Sequence, residues 1–380
     1  MTPQIEIHGY VAPGFEPVRD QFARNFDDPG ELGAGFALMR QGETLVDIYA
    51  GVADRKSGKA WTERTLAPVF STGKAIVGLV MAWLVDQGRV RYDTRVSDVW
   101  PEFGAEGKDV LTLAQILSHQ AGLSGIPFEM EASDWFDREL MEARLAGMAP
   151  LWPLSEGGSG YHPISYGVLA DAVARRVDGQ QRTIGAILRD VIAGPNGIDF
   201  HIGVGDEDQD RCAVHVLPPR AANLGEINTY TQIAFLKPWS SPGRRGAAVW
   251  RSAELPAANG HGTALSIAQL MGVYANEGQL AGSSLIRAET IAQTMREQVR
   301  GQDRVLPYDL ALACGPMINR DSGFFGPEPT SVGHSGFGGS CGFADPVRGL
   351  SGAYVMNRQL DQLVGDVRAR ALINAAYDCL

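Results

Sequence analysis

The sequence predicts an α+β fold, an antiparallel sheet flanked by helices with a mostly helical segment inserted between its halves. Residues 35–54 (GFALMRQGETLVDIYAGVAD) form two apolar runs around a Gln-Gly-Glu turn, a pattern typical of a hairpin. Strand character returns at residues 308–318 and 350–358, and residues 363–380 have a helical pattern. The late strands follow one another too closely for helical crossovers, so we expect the sheet to be antiparallel.

The middle of the chain has a different pattern. Helical stretches such as residues 111–120 (LTLAQILSHQ) and 164–177 (ISYGVLADAVARRV) alternate with long loops rich in Gly, Pro and Ser. We therefore predict a sheet-containing α/β domain built from residues 1–88 and 262–380. Residues 89–261 are predicted to form a mostly helical inserted domain, with the active site in the cleft between the two.

Composition excludes several classes of function. With 44% hydrophobic and 20% charged residues the chain resembles an ordinary soluble globular protein. The net charge of −11 and the lack of a basic run argue against nucleic-acid binding. The N-terminal residues lack the basic and apolar regions of a signal peptide, and no run of about 18 apolar residues occurs, so we expect a cytoplasmic protein without a membrane span. The four cysteines form no CxxC pair and are expected to be reduced; they are Cys212, Cys314, Cys341 and Cys379.

The stretch FSTGKAIVGLVMAWLVDQGRV, residues 70–90, places Ser71 three residues before Lys74 at the start of a helical pattern. Lys74 is the only one of five lysines in so hydrophobic a segment. Positions i and i+3 share a helix face, so a lysine with a lowered pKa could take the proton of the serine hydroxyl. At a helix start, the N–H of Ser71 would also be free to bind an oxyanion. The alternative is an N-cap serine beside a surface lysine.

Four segments carry a family resemblance, and they span most of the chain. The stretch at 70–78 and the segments LTLAQILSHQAGLSG (111–125), YHPISYGVLADAVARRVDG (161–179) and GHSGFGGSCGFADP (333–346) resemble landmarks of the serine β-lactamase and penicillin-binding-protein superfamily. Within it, they are most similar to class C β-lactamases and family VIII carboxylesterases. The resemblance implies a β-lactamase/transpeptidase-like fold, with Ser71 as nucleophile and Lys74 as base.

Tyr161 resembles the tyrosine of the family's second motif, usually Tyr-x-Asn, and begins a helix-like run after a glycine-rich loop. Next to Lys74 its phenol is expected to ionise more easily and to pass protons between Ser71 and the leaving group. The alternative is a packed tyrosine with a hydrogen-bonded hydroxyl, a role that we assign to Tyr166.

The triplet His334-Ser335-Gly336 resembles the family's third motif, Lys-Thr-Gly, in a form seen among esterase members. The resemblance implies that the N–H of Phe337 is the second oxyanion donor, paired with that of Ser71. It also assigns substrate binding to the triplet and to Gly338, with His334 lining the pocket near Tyr161. The alternative is that His334 is a solvated residue of a glycine-rich loop.

Two departures weaken the case for a dedicated β-lactamase. Pro163, which we also place in the substrate site, stands where the family has asparagine and has no side-chain amide. His334 stands where the family has lysine and is mostly neutral at pH 7.

Other signals are interpreted as structural. Residues 338–342 match the Gly-x-Ser-x-Gly elbow of α/β-hydrolases, but no histidine follows Ser340 to complete a triad. The histidines lack metal-ligand spacing, and His119 and His261 are expected to be structural. Three tryptophans in the long loops either wall an acyl or alcohol pocket or pack ordinarily; they are Trp152, Trp239 and Trp250.

These observations predict a serine carboxylesterase that hydrolyses small-molecule esters with small acyl groups through an acyl-enzyme, without metal or other cofactor. An acyltransferase, an amidase or a β-lactamase of the same fold remains an alternative, as does a non-catalytic binding protein. The oligomeric state is not predicted.

Overall fold

The computed structural model describes residues 5–27, 30–218, 220–320 and 322–380. Residues 1–4, which begin the predicted sheet domain, lie outside the described residues. The strands are β1 (Ile7–Val11), β2 (Gly33–Arg40), β3 (Glu43–Asp54), β4 (Lys59–Ala60), β5 (Ala67–Pro68), β6 (Phe200–Ile202), β7 (Gly260–Gly262), β8 (Gln279–Leu280), β9 (Ser283–Ser284), β10 (Val299–Gln302), β11 (Asp309–Leu312), β12 (Met317–Ile318), β13 (Val332–Ser335), β14 (Cys341–Asp345) and β15 (Leu350–Met356).

Two of the helices continue into short π-helical turns, at 188–193 and 232–236. The α-helices are α1 (Glu16–Arg24), α2 (Gly73–Asp86), α3 (Val96–Val99), α4 (Leu113–Leu117), α5 (Arg138–Gly147), α6 (Ser165–Val177), α7 (Ile184–Ile187), α8 (Thr229–Thr231), α9 (Ala248–Ser252), α10 (Ala264–Ala275), α11 (Ala288–Met295) and α12 (Val367–Tyr377). No helix in the described residues is both long enough and apolar enough to cross a membrane.

The main sheet is antiparallel throughout, as predicted. Its order in the described part of the chain is β1-β3-β2-β15-β14-β13-β12-β11-β10, with β4 paired to β3. The strands therefore come from both ends of the sequence, and the predicted hairpin is confirmed as β2 and β3. The final helix is confirmed as α12.

Both faces of the sheet are buried at its centre, which explains why β2 is apolar over nearly its whole length rather than alternating. Ala37 and Met39 face one core, which contains the buried side chains of α2 and α10. Phe36 and Leu38 face the other core, together with residues of α1 and α12. Helices thus cover the sheet on both sides, and the fold class is confirmed.

Residues 89–261 contain α3 to α9 and little sheet. A separate three-stranded sheet, β5-β7-β6, connects this segment to the residues before α2. The predicted boundary between residues 261 and 262 falls within β7. The division into two domains stays a prediction.

The cysteines are free, as expected. Cys212, Cys314 and Cys341 are buried, and Cys379 is half-buried.

Candidate active site

Ser71 lies in a single 3₁₀ turn, Phe70–Thr72, that leads directly into α2. Phe70 has a φ of +47°, in the left-handed region that few non-glycine residues adopt. Such a conformation costs on the order of 1 kcal/mol or more and requires firm support. Part of that support comes from β7, because the N–H of Val69 donates to the carbonyl of Gly260 at 2.8 Å. The N–H of Ser71 has no partner among the described residues, so it is available to a substrate oxygen.

Lys74 lies one turn further along and is completely buried. Its Nζ is 3.1 Å from the Oγ of Ser71, 2.8 Å from the carbonyl oxygen of Pro163 and 3.1 Å from that of Ala257. The alternative of a surface lysine is therefore wrong.

The surroundings of Lys74 favour the uncharged amine. Burial lowers its pKa well below the ordinary value, and the described residues place no carboxylate in an ion pair with it. A neutral amine can donate two hydrogen bonds, here to the carbonyls of Pro163 and Ala257. Its lone pair then points toward the hydroxyl of Ser71. The arrangement has the geometry of a general base acting on a serine nucleophile.

Tyr161 lies in the segment before α6, which begins at Ser165 rather than at Tyr161 as the sequence pattern indicated. Its ring centroid is 4.8 Å from the Nζ of Lys74, and its ring packs on that of His119 at 4.7 Å. Asp303 fixes the backbone here, since its carboxylate accepts the N–H of Tyr161 at 3.0 Å and the hydroxyl of Ser159 at 2.7 Å.

The expectation that the Tyr161 phenol ionises easily is wrong. Burial raises its pKa, and a hydrogen-bonding interaction with Ser71 offsets only part of that rise. The phenol is therefore protonated near neutral pH, in the form that can donate a proton. Tyr166 is buried as predicted, but its hydroxyl has no hydrogen-bond partner among the described residues.

His334 lies in β13 and is completely buried, so the alternative of a solvated loop residue is wrong. Its ring lies behind Tyr161, with centroids 6.0 Å apart, and its side chain is not part of the cavity wall. Its Nδ1 hydrogen-bonds with the carbonyl of Ser335 at 2.8 Å. Burial, reinforced by Lys74, lowers the pKa of His334 to about 3, so the ring is neutral at pH 7.

Phe337 lies in the turn between β13 and β14, lines the same cavity as Ser71, and packs on Phe70 with ring centroids 6.0 Å apart. The N–H of Phe337 has no partner among the described residues. Gly336 and Gly338 do not line the cavity; instead they allow close packing. A Cβ on Gly336 would lie 2.2 Å from the carbonyl oxygen of Val69, and a Cβ on Gly338 would lie 2.6 Å from the side chain of Gln359.

Ser340 holds this turn against the nucleophile turn. Its Oγ donates to the carbonyl of Val69 at 2.7 Å and lies 3.0 Å from the Oγ1 of Thr72. It is buried and lies between two strands, whereas a hydrolase elbow joins a strand to a helix. The structural interpretation of Ser340 is consistent with this position.

One cavity of about 120 Å³ opens over Ser71. Five of the predicted site residues line it: Ser71, Tyr161, Pro163, Ser335 and Phe337. Of the three loop tryptophans, only Trp250 contributes to the wall. Trp152 packs over Gly160, and the indole N–H of Trp239 donates to the carbonyl of Ile126.

Two further residues of the candidate site were not predicted from the sequence. Arg245 lines the cavity, so a cation is present there although His334 replaces the family's lysine. Asp303 positions Tyr161 from more than a hundred residues away in sequence. Neither belongs to a periodic pattern or a short motif; the sole signal was the Arg-Arg pair in the loop at 243–246 (GRRG).

Comparison with known proteins agrees with this geometry. The family model described as Beta-lactamase matches residues 19–377. The chain belongs to the β-lactamase family.

Particular relatives extend this result over the whole chain. The esterase/β-lactamase LipL of Mycobacterium tuberculosis is 32% identical over 374 residues, which are 94% of this chain and 84% of LipL. A penicillin-binding-protein homologue from Caulobacter crescentus is 50% identical, with a TM-score of 0.95 over 99% of this chain and 100% of that structure. A solved family VIII carboxylesterase is 38% identical, with a TM-score of 0.92 and the same coverage.

Proposed function

We propose that this serine hydrolase is a carboxylesterase that cleaves esters with small acyl groups through an acyl-enzyme on Ser71. The observation that carries the proposal is the 3.1 Å contact between the Oγ of Ser71 and the Nζ of a buried Lys74. The amine has the lowered pKa that a general base requires near neutral pH. The names of LipL and of the family VIII carboxylesterase support the choice of ester substrates.

In the acylation step, the Oγ of Ser71 forms a bond to the ester carbonyl carbon while its proton passes to Lys74. The free N–H groups of Ser71 and Phe337 stabilise the oxyanion. When the bond to the alcohol oxygen breaks, the protonated phenol of Tyr161 donates a proton to the departing alkoxide and is reprotonated from Lys74. This proton path keeps the phenol neutral except during transfer.

In the deacylation step, water attacks the acyl carbon and Lys74 accepts a proton of that water. The bond between the acyl carbon and the Ser71 Oγ then breaks, the protonated Lys74 returns the proton to that oxygen, and the carboxylic acid leaves. Each step uses side chains of this protein and water, so the chemistry needs no cofactor.

The size of the cavity supports small acyl groups. Its volume of about 120 Å³ is well below the roughly 300–1,000 Å³ typical of sites for drug-sized ligands. Its wall is mainly apolar, with Trp250, Phe337 and Leu306 among its members. A short acyl chain would pack against these side chains without displacing them.

Labelling with a fluorophosphonate tests the proposal. We expect one adduct, located on Ser71 by peptide mapping, and no turnover of p-nitrophenyl acetate by Ser71→Ala. Ser340→Ala is the matched control and should still label on Ser71. An adduct on Ser340, or full activity in Ser71→Ala, would contradict the mechanism. A non-catalytic binding protein would neither label nor turn over.

A β-lactamase is the second candidate, because Arg245 could face the carboxylate that β-lactam antibiotics carry. Against it stands Pro163, which offers no amide to the substrate. Parallel rates on a penicillin and on p-nitrophenyl acetate separate the two. Product analysis with added alcohol or amine acceptors separates hydrolysis from acyl transfer.

A further inference from the structure

Arg245 is the only charged side chain among the residues that line the cavity. It comes from the loop between the π-helical turn at 232–236 and α9. Among the described residues, no aspartate or glutamate lines the cavity, although the chain as a whole carries a net charge of −11. Arg245 is therefore the one charged group that the described residues present to the cavity.

The guanidinium of Arg245 stacks on aromatic rings next to the reactive centre. Its Cζ is 5.3 Å from the ring centroid of Phe337 and 6.0 Å from that of Phe70. Phe70 directly precedes Ser71 in sequence, and the N–H of Phe337 is our second oxyanion donor. Phe70 and Phe337 therefore hold the charge of Arg245 beside Ser71.

Within the described residues, Arg245 has no ion pair and no hydrogen bond to protein. Stacking occupies the faces of a guanidinium but leaves the N–H groups at its edge free to bind. Neighbouring protein lowers the pKa of Arg245, and His215 beside it stays neutral, since burial and this cation lower the pKa of the histidine to about 4. No carboxylate among the described residues forms an ion pair with the guanidinium.

We propose that Arg245 binds a carboxylate on the substrate, so that the preferred substrates are esters that also carry an acidic group. This inference rests on the proposed esterase function and names its substrate class. A planar guanidinium pairs with a carboxylate through two parallel hydrogen bonds, which fixes direction as well as affinity. Ser241 and Ser335 also line the cavity and offer further hydroxyl groups to such an anion.

The carboxylate could belong to the acyl group or to the alcohol, and two substrate pairs distinguish these sources. On the acyl side, p-nitrophenyl hydrogen glutarate is compared with p-nitrophenyl valerate, after subtraction of the uncatalysed rates. On the alcohol side, para-acetoxybenzoate is compared with its methyl ester. For each pair we measure the ratio of kcat/KM for the anionic ester to that for the neutral ester.

The variants are Arg245→Gln, Arg245→Lys and, as the matched control, Arg244→Gln. Arg244 is the adjacent, exposed arginine of the same loop and does not line the cavity. For at least one pair, we expect Arg245→Gln to lower the ratio by about 10- to 150-fold, the usual contribution of a hydrogen-bonded charge. Arg245→Lys should retain part of the ratio, and Arg244→Gln should leave it unchanged.

Two results would overturn the proposal: ratios that are the same in Arg245→Gln as in the unmodified protein, or an equal loss in Arg244→Gln. If the unmodified protein hydrolyses no ester of either kind, the esterase function fails instead. The anion site is then tested by calorimetric binding of glutarate, which should weaken in Arg245→Gln and not in Arg244→Gln. Equal binding to both variants would reject the site.

Discussion

At the scale of single residues, Lys74 shows how surroundings turn an ordinary side chain into a candidate base. Its amine is buried beside the rings of Tyr161 and Tyr166 and is held by two backbone carbonyls and one hydroxyl. Because the described residues give it no carboxylate partner, the charged form loses hydration without gaining a counter-ion. The resulting drop in the pKa of Lys74 favours the neutral amine, which is the form that can accept a proton.

This argument predicts the pH profile of kcat/KM for p-nitrophenyl acetate. Protonated Lys74 cannot accept the serine proton, so activity should fall as the pH falls through one ionisation well below 10.5. The nearby histidines titrate elsewhere, since burial lowers the pKa of both His162 and His334 to about 3. The measurement is the rate from about pH 5 to 10, corrected for spontaneous hydrolysis.

Lys74→Arg is the informative variant for the same experiment. Arginine stays protonated in proteins, so activity should be lost across the whole range rather than shifted along it. A flat profile in the unmodified protein, or substantial activity in Lys74→Arg, would show that another group is the base.

The lowered pKa of Lys74 also has a consequence for stability. Between the folded pKa and 10.5 the unfolded chain binds the extra proton, so this group makes unfolding easier as the pH falls.

At the scale of elements, the active site depends on two turns that touch. The 3₁₀ turn Phe70–Thr72 presents the nucleophile, and the turn between β13 and β14 presents the N–H of Phe337. Ser340 connects them through the carbonyl of Val69 and the hydroxyl of Thr72. The serine that matches a nucleophile motif in the sequence thus joins the two turns that hold the proposed oxyanion donors.

Ser340→Ala should therefore reduce stability while retaining catalysis. The change removes one of two donors to the carbonyl of Val69, which still accepts the N–H of Thr72 at 3.1 Å, and it removes the partner of the Thr72 hydroxyl. We expect a cost of about 0.5–1.5 kcal/mol in the free energy of unfolding. We expect a lower denaturation midpoint in urea and a kcat within about 10-fold of the unmodified protein, in contrast to the complete loss in Ser71→Ala. Unchanged stability would mean that Ser340 does not join the turns, and complete inactivation would reopen its role in the chemistry.

At the scale of the whole molecule, a buried ionic cluster joins distant parts of the chain. Arg368 at the start of α12 pairs with Glu31, just before β2, and with Asp366 at 2.9 Å. It also donates to the carbonyl of Gly338 in the active-site turn at 3.2 Å. The side chains of Arg368 and Glu31 are fully buried, so each charge depends on the others for compensation.

Removing the cation should be costly. Arg368→Met leaves two buried carboxylates unpaired, and we expect the free energy of unfolding to fall by about 3–5 kcal/mol, measured by urea denaturation. Arg91→Met is the matched control, because Arg91 and Asp93 form a pair whose side chains are 78% and 69% exposed. Its effect should be no more than about 1 kcal/mol. Equal effects of the two changes would contradict a structural role for the buried cluster.

The sequence by itself determined the features that depend on neighbours along the chain. Helix geometry predicted the contact between the side chains of Ser71 and Lys74. Two apolar runs around a turn predicted the hairpin of β2 and β3. The antiparallel sheet followed from the short connections between late strands. The family followed from four segments that occur in the order of its motifs, and the match over residues 19–377 confirms it.

Only the tertiary structure decided what depends on contacts between distant residues. Packing between distant segments buries His334 behind Tyr161 and raises the pKa of the Tyr161 phenol. It also brings the carboxylate of Asp303 to the backbone N–H of Tyr161. No local sequence pattern encodes these contacts. Arg245 faces the cavity because an irregular loop folds over Phe70 and Phe337. A side chain's charge and exposure are set by everything that surrounds it in space, and most of those neighbours lie far away in sequence.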